Sequence, residues 1–328
     1  MSGLFVFMSL TSSESSLLTA SQWADIQALL QINPIDLPWT QLNQAWLQDV
    51  RFADSTHSLV RLDTNCGFFY LKWPRVAIKQ QPFWQGIQAW FGYRLAESYP
   101  FQFDWVKRLE PYTPFKLAEI VRSVSVSDLH QQAYVLTREM HGNSQPPKQF
   151  SAPALALIAK HFAGLQSLSS PNWGQSFLKS HQAQVWSTHT FKFIENLDLP
   201  QDLVKAAVAQ AAAYPPVEFV PVMLDFRWDQ LQWLADLPFG MVDMDAWVMA
   251  PASLNLAMLE LLFDAKQAAH WQSLFVQELQ QQGRSAEMLF TELSAWRKVF
   301  RLILFKLNWL GADNLQAWLS APCYFDKA

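Results

Sequence analysis

The chain has 328 residues, 51% of them hydrophobic and only 16% charged, with a net charge of −4. Such a length is enough for two domains, and the apolar content excludes disorder as the overall state. The acidic balance excludes a dedicated nucleic-acid binder, which needs a basic stripe to displace counterions from phosphates.

The first apolar run, Leu4 to Leu10, is shorter than a signal core and has no Lys or Arg before it. After a Ser-rich stretch, helical spacing predicts a helix over Trp23 to Leu30, with Ser21 as its N-cap. Asn33-Pro34 and Leu37-Pro38 end it, so residues 1–44 read as an N-terminal helical extension. From Ala45 to Trp73 the texture is that of strands. Phe52 to Leu62 holds a turn between two strands, Asn65-Cys66-Gly67 is a second turn, and Phe68 to Trp73 is an aromatic-rich strand. Pro82 to Tyr99 returns to helical spacing, with Phe83, Ile87, Trp90, Phe91 and Leu95 on one face. Residues 105–109, 117–126 and 133–138 read as three more strands. Residues 45–142 thus form a five-stranded sheet with one inserted helix.

The polar segment His141 to Pro147 marks the boundary between lobes. Beyond it the chain is mostly helical, over 152–168, 175–195, 201–213, 253–263, 266–282, 286–308 and 312–319. The exception is Val217 to Val248, where two apolar runs, Phe219–Leu224 and Gln232–Val242, flank polar punctuation. The sixteen Trp read as core filling. Cys66 and Cys323 have no metal-ligand spacing and predict no disulfide framework, which fits a reducing, cytoplasmic setting. No apolar stretch approaches the ~20 residues that cross a bilayer, so no membrane partner is expected.

The order of hairpins, a Lys in a strand, a helix, more strands, a hinge, helices, an Asp loop and an Asp-x-Asp segment carries a resemblance. Phe68 to Lys72 looks like a strand bearing a nucleotide-binding lysine, and Tyr134 to Gly142 looks like an interlobe hinge. Leu165-Gln166 ends the first large-lobe helix in a familiar way. Met223-Leu-Asp225-Phe-Arg-Trp-Asp-Gln230 stands where a His-Gly-Asp-x-x-x-x-Asn loop is usual, and Met241-Val-Asp243-Met-Asp245 where Ile-Asp-x-Asp is usual. Over about residues 45–320 the chain resembles the aminoglycoside and choline phosphotransferase family, as a divergent member. The resemblance implies an α+β, two-lobed protein-kinase-like fold, with a small antiparallel β lobe and a mostly helical lobe over 143–328. It implies ATP and Mg²⁺ as cofactors.

In phosphoryl transfer the protein mainly positions groups and neutralises charge. The resemblance assigns Lys72 to the α/β-phosphates, backbone groups of Arg138, Glu139 and Met140 to the adenine edge, Asp243 and Gln230 to Mg²⁺, and Asp225 to the acceptor hydroxyl. Asp245 stands either as a supporting carboxylate or as a helix cap, Asp229 as a loop residue, and His141 as structural. Arg227 is a candidate for a phosphate or an acidic acceptor, or a surface ion pair.

The site departs from the family text. Met223 and Leu224 replace His and Gly, and Gln230 replaces Asn. The helix after Lys72 offers Gln85 or Gln88 where a Glu is expected, with Glu97 near its end, and the segment Asp54 to Ser58 has no Gly. Met223 is expected to be buried, because Met cannot replace the hydrogen bonds of a His. Helices over 253–319 would frame a small-molecule acceptor, with Glu260, Asp264, Glu278, Glu287 and Glu292 as candidates for its acidic lining. Two readings follow: an ATP-dependent phosphotransferase acting on a hydroxyl of a small metabolite, or a pseudokinase scaffold that binds a nucleotide or a protein partner.

Overall fold

The computed structural model describes residues 15–48, 56–75, 81–127, 130–176 and 179–325. Its contacts divide the chain into two compact units, Met1–Ile78 with Glu119–Glu139, and Lys79–Ala118 with Met140–Ala328.

In the first unit, strand β1 (Ser15–Leu17) leads into helix α1 (Ala20–Leu29), followed by β2 (Leu42–Gln48), β3 (His57–Thr64) and β4 (Gly67–Pro74). Helix α1 is capped by Thr19, two residues earlier than Ser21, in a reciprocal capping box with Gln22. Helices α2 (Pro82–Phe91) and α3 (Leu95–Leu109) and the short strand β5 (Lys116–Leu117) belong to the second unit; β6 (Ile120–Val124) and β7 (Tyr134–Arg138) return to the first. The strands form an antiparallel sheet in the order β1-β2-β3-β4-β7-β6. The extension therefore contributes a sixth strand to the expected five. Period-two alternation sends Phe69, Leu71 and Trp73 of β4 into a core with Leu30, Ile32 and Trp39. Phe68, Tyr70 and Lys72 occupy the other face.

The helix expected inside the sheet unit packs instead on the helical unit. Trp90 stacks on Phe193 at 5.7 Å, and its indole donates to Thr190 Oγ1 at 3.1 Å. Gly86 admits this approach, since a Cβ there would stand 1.8 Å from Leu307 Cδ2. The periodic run over 82–99 is also two helices, broken where Gly92 takes φ of 68° as the left-handed C-cap of α2. The strand expected at 105–109 is the end of α3. Leu95, Ser98, Tyr99, Gln102, Trp105 and Leu109 are buried at helical spacing despite Pro100.

The second unit continues with α4 (Ala152–Gln166), β8 (Asn172–Gly174), β9 (Ser180–Gln182), α5 (Trp186–Glu195), α6 (Gln201–Ala211), β10 (Phe219–Met223), β11 (Leu231–Leu234), β12 (Leu237–Met241), β13 (Trp247–Pro251), α7 (Ala252–Leu262), α8 (Ala265–Gln281), α9 (Glu287–Lys306) and α10 (Leu315–Leu319). The first part of the helix expected over 175–195 is the β8–β9 hairpin, pairing Trp173 with His181. Gly174 sets that bend with φ of 145°, and a Cβ there would meet Lys179 O at 2.6 Å. Strand β13, which the sequence reading did not assign, lies between β10 and β8. Among the described residues no helix is long and apolar enough to cross a membrane.

A buried ion cluster ties the C-terminal segment to the helices. Glu260, 1% exposed, accepts from Arg297 Nε at 2.8 Å, Arg301 Nη2 at 3.0 Å and the Phe325 N–H at 3.0 Å. Glu260→Gln leaves two guanidinium groups without their counterion and is expected to cost about 3–5 kcal/mol. Urea unfolding measures it, and a loss below 1 kcal/mol would contradict the assigned role.

Candidate active site

The helical unit brings together the two aspartates that the resemblance singled out. Strand β10 pairs with β13 so that Met223 faces Trp247, and the ladder continues one step as the Leu224 N–H donates to Ala246 O at 3.0 Å. At the other end Leu231 pairs with Met241, and the Val242 N–H donates to Gln230 O at 3.1 Å. Residues 225–229 and 243–245 are thus two short spans clamped between the same pair of ladders. Asp225 and Asp243 come to one end of the unit, each half-buried.

The loop between them alternates. Asp225, Arg227 and Asp229 are half-exposed, whereas Phe226, Trp228 and Gln230 are buried. Phe226 packs edge-on against Phe162 and Trp228 against Phe150, and the Trp228 indole donates to Leu262 O at 3.2 Å. These aromatics anchor the loop. They leave the Arg227 guanidinium between two carboxylates, 3.8 Å from Asp225 Oδ2 and 3.4 Å from Asp229 Oδ1. Met223 is 2% exposed, as expected of an apolar replacement for His.

Behind Asp243 lies a second row of polar contacts. Asp243 Oδ1 accepts the Asp245 N–H at 3.1 Å. Asp245, 2% exposed, takes a close hydrogen bond from Gln102 Nε2 of α3, so it supports the segment from within and does not cap a helix. The Ala246 N–H donates to the Tyr93 hydroxyl at 2.9 Å, which donates onward to Ser98 Oγ at 2.8 Å. Burial first, and then the nearby Asp245 charge, push the Tyr93 phenol well above its ordinary range, so it stays protonated. Neither Gln102 nor Tyr93 was singled out from the sequence. Their signal, helical spacing through Pro100, is visible only once α3 is known to be a helix.

The sheet unit holds Lys72, Arg138 and Glu139, and Met140 falls to the helical unit. Lys72, half-buried on β4, pairs in register with Val135. On the same face Glu139 accepts from Arg61 Nε at 2.8 Å and Nη2 at 3.1 Å, and from the Tyr70 hydroxyl at 3.0 Å. Burial and then the Glu139 charge push the Tyr70 phenol up to about 12. The Arg138 side chain is engaged with Glu119 Oε2 and Cys66 O, each at 3.0 Å. The N–H groups of Arg138 and Glu139 are spent on Glu119 O and Phe68 O, each at 2.9 Å. Of the N–H groups of Arg138, Glu139 and Met140, the last is the one with no backbone partner among the described residues. Most of the Asp54 to Ser58 segment lies outside the described residues. Glu97 falls in the first turn of α3 and pairs with Arg94 and Lys179.

The donors beside the loop, the Asp243 carboxylate and the Gln230 carboxamide, are all oxygen, which suits Mg²⁺. Among the described residues no group of three His, Cys, Asp or Glu side chains is placed to hold a metal. Mg²⁺ in phosphotransfer sites takes one or two protein ligands, with water and phosphate completing its shell, so the pair fits.

Three of the five acidic candidates on the late helices, Glu260, Asp264 and Glu292, have structural partners. Glu260 sits in the arginine cluster, and Asp264 caps α8 by accepting the Gln267 N–H at 2.8 Å. Glu292 accepts from Ser253 Oγ at 2.5 Å, and burial pushes its carboxyl from 4.5 up to about 7, with Ser253 pulling the other way.

Chain-wide structural similarity agrees with this layout. No family model matches the sequence, and no curated protein matches it. Among solved structures, a macrolide 2′-phosphotransferase type I superposes with a TM-score of 0.59 at 13% identity, covering 95% of this chain and 99% of that one. A putative fructosamine-3-kinase from Haemophilus somnus gives 0.56 at 9%, covering 90% and 96%. A spectinomycin phosphotransferase solved with ADP and spectinomycin gives 0.54 at 11%, covering 94% of each chain.

Two measurements check the site's supports. Tyr93→Phe removes the acceptor of the buried Ala246 N–H and is expected to cost about 1–3 kcal/mol; urea unfolding unchanged by this substitution would refute the bond. For Glu292, the folded value lies above the unfolded one, so the folded state holds the proton to higher pH. The stability tied to this group is present in full below about pH 4.5 and is lost as pH rises to about 7, a change of about 3 kcal/mol. Glu292→Gln should flatten that slope, and equal slopes for both proteins between pH 5 and 8 would show that Glu292 ionises normally.

The chain therefore has the protein-kinase-like fold of the aminoglycoside and macrolide phosphotransferases, and is a divergent example of it.

Proposed function

We propose that this protein transfers the γ-phosphate of ATP to a hydroxyl of a small metabolite. The observation that carries the reading is the double clamp that sets Asp225 and Asp243 at one end of the helical unit. The fold is one that hosts small-molecule phosphotransferases, including structures holding ADP and GDP.

The roles follow from chemistry. Asp225 orients the acceptor hydroxyl and accepts its proton as the oxygen attacks phosphorus. Arg227, held between Asp225 and Asp229, fixes the loop that carries this base. Asp243 and Gln230 would hold Mg²⁺, which when bound neutralises charge on the β- and γ-phosphates. Asp245, Gln102 and Tyr93 keep Asp243 in place. Lys72 of the sheet unit supplies an ammonium for the α/β-phosphates, and Met140 of the helical unit a backbone donor for the base.

The test is a thermal melt with ATP and Mg²⁺, followed by turnover on a panel of hydroxylated metabolites. Ligand at 100 times its Kd adds about 2.7 kcal/mol, a shift of several degrees. Asp243→Ala should remove nearly all turnover. Asp225→Ala should keep the nucleotide-dependent shift while lowering turnover about 10²–10⁴-fold. Gln230→Asn should lower activity if the loop is built around the longer arm. A shift without turnover, insensitive to both aspartates, would replace this reading with the pseudokinase scaffold.

A further inference from the structure

A cavity of about 470 Å³ opens in the helical unit between the α2–α3 turn and the β8–β9 hairpin. It shares no residue with the loop of Asp225 or the segment of Asp243. Its volume lies within the range of small-molecule pockets. Gly92, Arg94 and Glu97 line one side, and Gln175, Lys179 and His181 the other.

Two cations share one internal carboxylate. Glu97 lies 3.0 Å from Arg94 Nη1 and 3.8 Å from Lys179 Nζ, and all three side chains are about half exposed. Exposed pairs of this kind are weak, so Glu97 holds neither cation strongly against a ligand. At the rear stands Gln175, 4% exposed, whose Nε2 has no hydrogen-bond partner. A buried amide donor is costly without an acceptor, and an oxygen-bearing ligand in the cavity supplies one.

The hairpin is built to keep these groups in place. Lys179 N donates to Ser176 Oγ at 3.1 Å, and Gly174 lets Lys179 O come closer than any Cβ allows. The Lys179 ammonium also lies over the Phe101 ring, 5.3 Å from its centre, which directs it along the cavity wall.

The geometry points to a binding site for a small oxyanion, a phosphate ester or a carboxylic acid, in which Arg94 and Lys179 neutralise the charge and the Gln175 amide donates to a ligand oxygen. This site is independent of the phosphotransfer reading.

Calorimetric titration of the full chain with pyrophosphate, and separately with citrate, at constant ionic strength tests it. At least one of the two is expected to bind, and the tighter one identifies the ligand as phosphate-like or carboxylate-like. Arg94→Ala and Lys179→Ala should each weaken binding at least tenfold. Both positions are exposed, so both variants are expected to fold, and circular dichroism checks this. Gln175→Leu should weaken binding severalfold while leaving the charges intact. Asp243→Ala should leave it unchanged. The proposal is overturned if neither anion binds more tightly than chloride, if the Arg94 and Lys179 variants bind like the parent, or if Asp243→Ala abolishes binding and so moves the anion to the metal loop.

Discussion

A carboxylate that is almost wholly out of water needs donors, and Asp245 is such a group. The helical unit is arranged around that need. Gln102 reaches Asp245 from α3, and the next residue, Ala246, is tied by its N–H to Tyr93 in the turn before α3. Two contacts, from α3 and from the turn before it, thus fix two consecutive residues of the segment that presents Asp243. The Gln102–Asp245 bond, with the burial of Leu95, Tyr99, Trp105 and Leu109, holds α3 in the helical unit, although chain order places it between strands of the sheet unit.

The same economy appears in the loop of Asp225. In this chain the positions before the aspartate are Met and Leu, which cannot hold a loop through side-chain hydrogen bonds. Backbone pairing does that work: Leu224 extends the β10–β13 ladder, and Gln230 accepts from Val242. Phe226 and Trp228 then add apolar anchors at alternate positions, each burying a large ring. Asp225 and Arg227 are left between the anchors, exposed on one side and supported on the other. Losing a polar support is tolerable where ladder and packing replace it, so departures from the family text need not mean decay of the site.

What the sequence made legible follows from period and order. The aromatic-rich run Phe68 to Trp73 is legible as a strand, and in the fold its alternation puts Phe69, Leu71 and Trp73 in the core and Lys72 on the other face. The spacing of Asp225 and Asp243 suits a strand-turn-strand connection, and β11 with β12 supplies it. The failures share a cause, which is that local signals were overruled by tertiary packing. Pro100 speaks against a helix, yet Leu95, Tyr99, Gln102 and Trp105 bury along one face of α3. The 175–185 stretch has no strong strand pattern, and Gly174 with the Trp173–His181 pair turns it into a hairpin. Strand β1 is three exposed residues whose only reason to be extended is the edge of β2. Tyr93 and Gln102 stayed hidden because their roles depend on a helix that propensity alone does not grant.

The acidic residues of the late helices bear on the acceptor. Carboxylates at positions 260, 264 and 292 suggest on paper a negatively charged pocket for a cationic substrate. In the folded chain Glu260 neutralises two buried arginines, Asp264 caps a helix, and Glu292 is held so far from water that its carboxyl titrates near 7. A carboxylate committed to an internal cation adds no net field for a ligand, and one that keeps its proton adds little. The charge at these three positions is therefore spent on stability, and resemblance in fold to enzymes of cationic antibiotics does not carry their substrate chemistry with it. The groups that do remain turned to solvent within a cavity of the helical unit, Arg94 and Lys179 against Glu97, carry the opposite balance.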